Sequence, residues 1–249
     1  MNISSLFSFG ATSNRANPHA TNKSVQEVSP LAMAVQRADQ RLQAQVETNT
    51  AQLSSFGKLK SSVSEVQLAA HTLRDLPATA SPVDITGALS TFVSAFNAAA
   101  STAHDTAKLP GAMAASQSAN RVANGLQRAL AAEPVVPETL ANLGVQVQEG
   151  RLVLDLTQLA SALAADPAGV QATLANIGQR VGQTASTELE AHGNVGGPLT
   201  NLHQQARVLG TQQSALQSAA QATSTAPSPG HSGALGQGLA AYRSHINIG

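Results

Sequence analysis

Residues 143–178 read LGVQVQEGRLVLDLTQLASALAADPAGVQATLANIG, and within them the apolar period changes twice. Val145 and Val147 alternate with Gln146 and Gln148, the two-residue period of a strand, and Leu152 and Leu154 flank Val153 in the same way beyond Glu149 and Gly150. Glycine takes a positive φ without a Cβ penalty, so the stretch reads as a β-hairpin over 145–155 with Gly150 at its corner. Asp155 then stands where a carboxylate can accept from the first free N–H groups of a helix over 156–165, which carries Leu156, Leu159 and Leu163. Asp166 followed by Pro167 repeats the device and predicts a helix over 167–191, with Val170, Leu174, Ile177 and Val181 on its apolar face.

On both sides of this block the chain steps by three and four. Upstream, Leu31, Val35, Ala38, Leu42, Val46, Asn49, Leu53, Phe56, Leu59, Val63, Val66, Ala70 and Leu73 form a heptad-like stripe. With Ser29 as N-cap and Pro30 as first residue, the stripe predicts a helix over 30–76 that Pro77 ends, about 70 Å long at ~1.5 Å per residue. After the break LPATASPVD, Leu89, Phe92, Val93 and Phe96 share one face of a helix over 84–107. A third helix over 112–132 turns Val122, Leu126 and Leu130 inward and Asn120, Gln127 and Arg128 outward, and EPVVPE stops it. Downstream, the glycines of HGNVGGP mark a turn. Beyond it Leu199, Leu202, Ala206, Leu209, Gln213 and Leu216 give a helix over 198–222 whose stripe suits pairing with the first.

The fold class is therefore mainly α: an elongated antiparallel helical bundle or coiled coil with one small β-hairpin. A helical domain over 25–222 lies between flexible segments at 1–24, rich in Ser, Asn and Thr, and at 223–249, which opens with a Pro/Ser-rich linker. Composition agrees, since 42% of the 249 residues are hydrophobic but only 2% are aromatic, leaving Leu, Val and Ala to fill the interior. Interiors of that kind suit close-packed helices.

Fourteen basic residues balance fourteen acidic ones, so no excess positive potential gathers phosphates, and nucleic acid is excluded as an expected partner. Cysteine is absent, which removes disulfides and thiolate sites. The N-terminal cluster Ile3, Leu6, Phe7 and Phe9 is shorter than a secretory apolar core, and no run approaches the ~18 apolar residues of a membrane span, so neither a cleaved signal nor membrane insertion is expected.

The seven histidines, at 19, 71, 104, 192, 203, 231 and 245, show no metal-ligand spacing and read as surface residues. GHSG at 230–233 lacks the spacing of a nucleophile elbow, and GALGQG at 233–238 lacks the order of a phosphate-binding glycine loop. Glu188 and Glu190 fall on different helix faces, which suits solvation better than acid–base work. No catalytic residue, cofactor or metal is expected, and the chain reads as non-enzymatic. The apolar stripes instead point to assembly: the helix over 30–76 exceeds every other segment, so part of its stripe calls for neighbouring copies. Leu42, Val46, Leu53, Phe56, Leu59, Phe92, Phe96, Leu202, Leu209 and Leu216 are the packing and assembly candidates.

Three blocks carry a family resemblance. LSSFGKLKSSVSEVQLAAHTLRDL (53–76) resembles the N-terminal helix of the flagellar hook-associated protein 2 family, the filament cap, with its isolated Gly57 before Lys-Leu-Lys-Ser. LSTFVSAFNAAAS (89–101) resembles that family's Phe-Val-x-x-aromatic-Asn helix, with Phe96 and Asn97 in place. LANLGVQVQEGRLVLDLTQLASALAADPAGVQATL (140–174) resembles its Leu-Gly, acidic-Gly hairpin, Leu-x-Leu-Asp and Asp-Pro series. The likeness spans roughly 30–220, and only PATASPV lies where the family carries its head, so it implies a reduced member without the head domains. It further implies an oligomer at the tip of the bacterial flagellum that assists flagellin assembly, meets flagellin and hook–filament junction proteins as well as an export chaperone, and reaches the outside through the flagellar type III apparatus. On physical grounds alone, the amphipathic helices also suit a cytoplasmic coiled-coil adaptor or export chaperone.

Overall fold

The computed structural model describes residues 30–109, 113–131 and 137–225. Among these the chain forms α1 (Pro30–Arg74), α2 (Pro82–Ala107), α3 (Met113–Ala131), α4 (Pro137–Asn142), β1 (Val145–Gln148), β2 (Arg151–Leu154), α5 (Leu156–Ala165), α6 (Pro167–Leu189) and α7 (Gly196–Thr225). It is mainly helical with one small antiparallel hairpin, as the periodicities require. Ser29, the segment 1–24, the chain beyond Thr225, the Leu31 side chain, His19, His231 and His245 lie outside the described residues.

The 45-residue α1 is the axis, about 68 Å long at 1.5 Å per residue. Its C-terminal half packs against α2 on one side, where the Ser62 and Thr102 hydroxyls lie 3.2 Å apart. Against another side runs α6, antiparallel, with Gln67 Nε2 donating to Ser186 Oγ at 2.7 Å. Gly178 permits that approach, because a Cβ there would lie 2.3 Å from the Ala70 carbonyl oxygen and 2.7 Å from the Arg74 nitrogen. After α6 the chain turns, and α7 takes over along the N-terminal half of α1 in the same antiparallel sense: Asn49 of α1 bonds to Leu202 and Gln205 of α7. So α6 and α7, laid end to end, cover α1 along its length. The paired stripes of the first and last long helices are thus side by side.

The core is filled by Phe56, Leu59, Val63, Val66, Leu73, Ile85, Leu89, Phe92, Phe96, Leu126, Leu159, Leu174 and Ile177, all at 2% exposure or less. The hairpin pairs Val145 with Leu154 and Gln148 with Arg151. Both corner residues have positive φ, Glu149 at 51° and Gly150 at 79°, as a two-residue turn matched to strand twist demands. The hairpin is carried by α2, not by the α1–α7 pair, as its second strand packs there. Asp155 accepts from the Thr157 and Gln158 N–H groups, and Asp166 from that of Gly169, so both predicted caps form.

Several local readings need correction. α1 ends at Arg74 and α6 at Leu189, each two residues early, while α7 starts at Gly196 and continues through 223–225, which the sequence pattern assigns to a linker. α2 starts at Pro82 because Ser81 and Asp84 form a capping box: the Asp84 N–H donates to Ser81 Oγ, and the Ser81 N–H and hydroxyl donate to Asp84 Oδ2 at 3.2 and 2.6 Å. The short α4 falls in a stretch read only as a helix stop; Pro137 opens it at a position where proline costs nothing. Leu156 and Val147, apolar positions of the predicted helix and strand, are 56% and 54% exposed, because α5 turns only Leu159 and Leu163 inward and the hairpin presses mainly Val145 and Leu152 onto the body.

Candidate functional site

The ten packing and assembly candidates divide into two groups. Phe56, Leu59, Phe92, Phe96 and Leu202 belong to the main core, with Leu53 half-buried at its margin. The Phe92 and Phe96 rings, 6.2 Å apart at 42°, are wrapped by their own chain, so their role is internal packing rather than contact with a partner. Leu42, Leu209 and Leu216 form a second, separate cluster with Ala38 and Val46 packed against it. That cluster holds together a two-helix stem, α1 before Asn49 against α7 beyond Gln205. In the stem Val46 is half-buried, and Met33 at 41% and Val208 at 56% exposure offer apolar surface outward.

Asn49 separates the groups. It is buried, and its Nδ2 donates to the Leu202 carbonyl at 3.3 Å and to Gln205 Oε1 at 3.0 Å. Its place in the apolar stripe was visible from spacing alone, but its role as a buried polar layer was not.

Where α3 stops short of the stem, an open groove of about 1200 Å³ runs between α1, the start of α3 and α7. Amides recur in its lining, among them Gln45, Gln52, Asn201, Gln204 and Gln212, beside Arg121 and His192, while Met113, 84% exposed, and Val208 add apolar edges. Such a surface can take hydrogen bonds and apolar contact from a helix, but it brings together no acid–base pair. A smaller cavity of about 490 Å³ behind the hairpin is lined by Phe96, Leu130, Leu140, Val145 and Val147 and has no ionisable side chain among its described residues.

Neither a family model, nor a curated protein, nor a solved structure matches this chain.

The charged groups are structural in their surroundings. Glu188, expected in solvent, is buried at 8% exposure because the turn after α6 folds over it: the Asn194 N–H and Nδ2 donate to its Oε2 at 3.1 and 2.8 Å. Glu190, beyond the end of α6, is exposed. The Ser81 hydroxyl and backbone N–H hold the Asp84 carboxyl below the usual aspartate range. Two hydrogen bonds from the Arg74 guanidinium, each 2.8 Å, lower that of Asp75. His104, His192 and His203 are exposed, and His71 is half-buried beside Gly182. Among the described residues no three His, Asp or Glu side chains converge to hold a metal ion, and no helix is long and apolar enough to cross a membrane.

Proposed function

We propose that the chain is a non-enzymatic structural subunit of the bacterial flagellum, a cap-like protein at the filament tip that assists flagellin assembly. The supporting observation is that the three stretches resembling the filament-cap family pack into one continuous body. Block 53–76 covers the end of α1 and the first two residues after it, block 89–101 lies in α2, and block 140–174 runs from α4 through the hairpin into α6. Phe56 and Leu59 of the first, Phe92 and Phe96 of the second and Leu152, Leu159 and Leu174 of the third share one core, and Asn97 bonds to Leu152, while the Ser62–Thr102 and Gln171–Pro77 contacts fall one residue beyond the blocks. Within this reading the body acts as the leg of a cap subunit, and the loop 75–81 closes the place where the family carries its head.

The stem supports the same reading. Its three buried leucines cover little, and its outward Met33 and Val208 suit contact with further copies or with the neighbouring filament proteins, flagellin and the hook–filament junction subunits. Export through the flagellar type III apparatus, assisted by a chaperone, is the corresponding route outward. No cofactor takes part.

Deleting the chain from a motile host tests the proposal. Shortened filaments, weakened swimming and flagellin lost to the medium are expected, with the protein itself found at filament ends. Normal filaments and swimming, or a protein confined to the cytoplasm as an adaptor or export chaperone would be, overturn it.

A further inference from the structure

Along the α1–α7 stripe the apolar packing is not continuous. On α1 the main core ends at Leu53 and the stem cluster begins at Val46; on α7 the corresponding positions are Leu202 and Leu209. Between them lies the amide layer of Asn49 with Gln205 and the Leu202 carbonyl. Contiguous apolar packing is what makes neighbouring turns of helix unfold together, because exposing one layer strips contacts from the next. A layer held by two directional hydrogen bonds passes on less of that coupling.

The two sides are also unequally held. Ordering a residue costs free energy of the same order as burying a leucine returns, so three leucines offset only a small part of ordering roughly forty stem residues. The body side is fixed: Val195 is fully buried, and Glu188 ties down Asn194, so the root of α7 cannot swing with its far end.

We infer that the stem, α1 before Asn49 with α7 beyond Gln205, opens and closes as a unit of its own, with the Asn49 layer as its boundary. The body stays folded while the Leu42, Leu209 and Leu216 faces are transiently bared. This goes beyond the role assigned above and does not depend on it.

Amide hydrogen exchange on the full chain, read region by region, is the test. Amides in 36–48 and 208–220 should exchange together, about tenfold or more faster than those in 59–73 and 174–185, with a step at the Asn49 layer. Asn49→Leu, which joins the two apolar clusters, should slow the stem about tenfold and leave the body unchanged. Leu216→Ala should speed the stem alone. Equal rates in stem and body, a smooth decline along the stem away from the body with no step, an Asn49→Leu stem exchanging as in the parent, or Leu216→Ala speeding both regions alike would each overturn the inference.

Discussion

Asn97 meets the peptide of Leu152 from both sides. Its Oδ1 accepts from the Leu152 N–H at 2.7 Å and its Nδ2 donates to the Leu152 carbonyl at 2.8 Å, so one side-chain amide pairs with the edge of β2 as a third strand would. This bond pair joins α2 to the hairpin and gives the Phe-Asn pair at 96–97 two tasks, Phe96 filling the core and Asn97 docking the sheet. Asn97→Leu keeps the size but leaves a part-buried N–H and carbonyl without partners, which costs about 1–3 kcal/mol. Urea unfolding should show a lower midpoint with an unchanged slope; an unchanged midpoint would deny the docking role.

Two glycines in long helices make opposite predictions. Gly178 faces the α1 backbone, so Gly178→Ala forces α1 and α6 apart and should destabilise by about 1–3 kcal/mol. Gly57 has open space around it, so Gly57→Ala should stabilise by about 0.5–1 kcal/mol through helix propensity. Thermal melts of the two variants check both signs at once.

The α2 cap sets a pH dependence. The Asp84 carboxyl titrates lower in the folded chain than in the unfolded one, so its contribution is complete above the unfolded value of about 4 and is lost as pH falls through the lower folded value. Asp75, lowered by Arg74, acts in the same direction. The melting-temperature gap between the parent and Asp84→Asn should therefore be widest near neutral pH and narrow below about pH 4. A gap that stays constant across that range would remove Asp84 as its source.

Glu188 is the buried carboxylate that shapes the turn into α7. Glu188→Ala leaves the Asn194 N–H and Nδ2 without their shared acceptor and should cost about 1–3 kcal/mol. Exchange in 190–197 should rise with it. Stability equal to the parent would mean the turn holds without the carboxylate.

The long-range pairing was legible because it is written in repetition: Leu42, Phe56 and Leu59 on one helix and Leu202, Leu209 and Leu216 on the other recur at helical intervals, and the Asp155 and Asp166 caps sit beside clear period changes. What was not legible depends on single partners far along the chain. Asn49 in the stripe looks like any tolerated polar residue until Leu202 and Gln205 are opposite it. Glu188 looks solvated until Asn194 folds back. Six residues of α4 are too few to show a period, and Leu156 sits on an apolar helix whose outer face no other element covers. The Ser81–Asp84 box lies within SPVD, inside the stretch that reads as a break with the helix starting at 84, so a local capping signal is passed over there.

Because α6 and α7 follow one another along a single partner helix, the break at 190–195 keeps two halves of one track in phase. Adding one residue to α7 ahead of Leu202 would rotate everything beyond it by about 100° and carry Leu209 and Leu216 off the α1 seam. The break itself is held to length by Asn194 and the Val195 N–H, both bonded to Glu188, so a residue gained or lost there must break one of those ties before the seam can keep its phase.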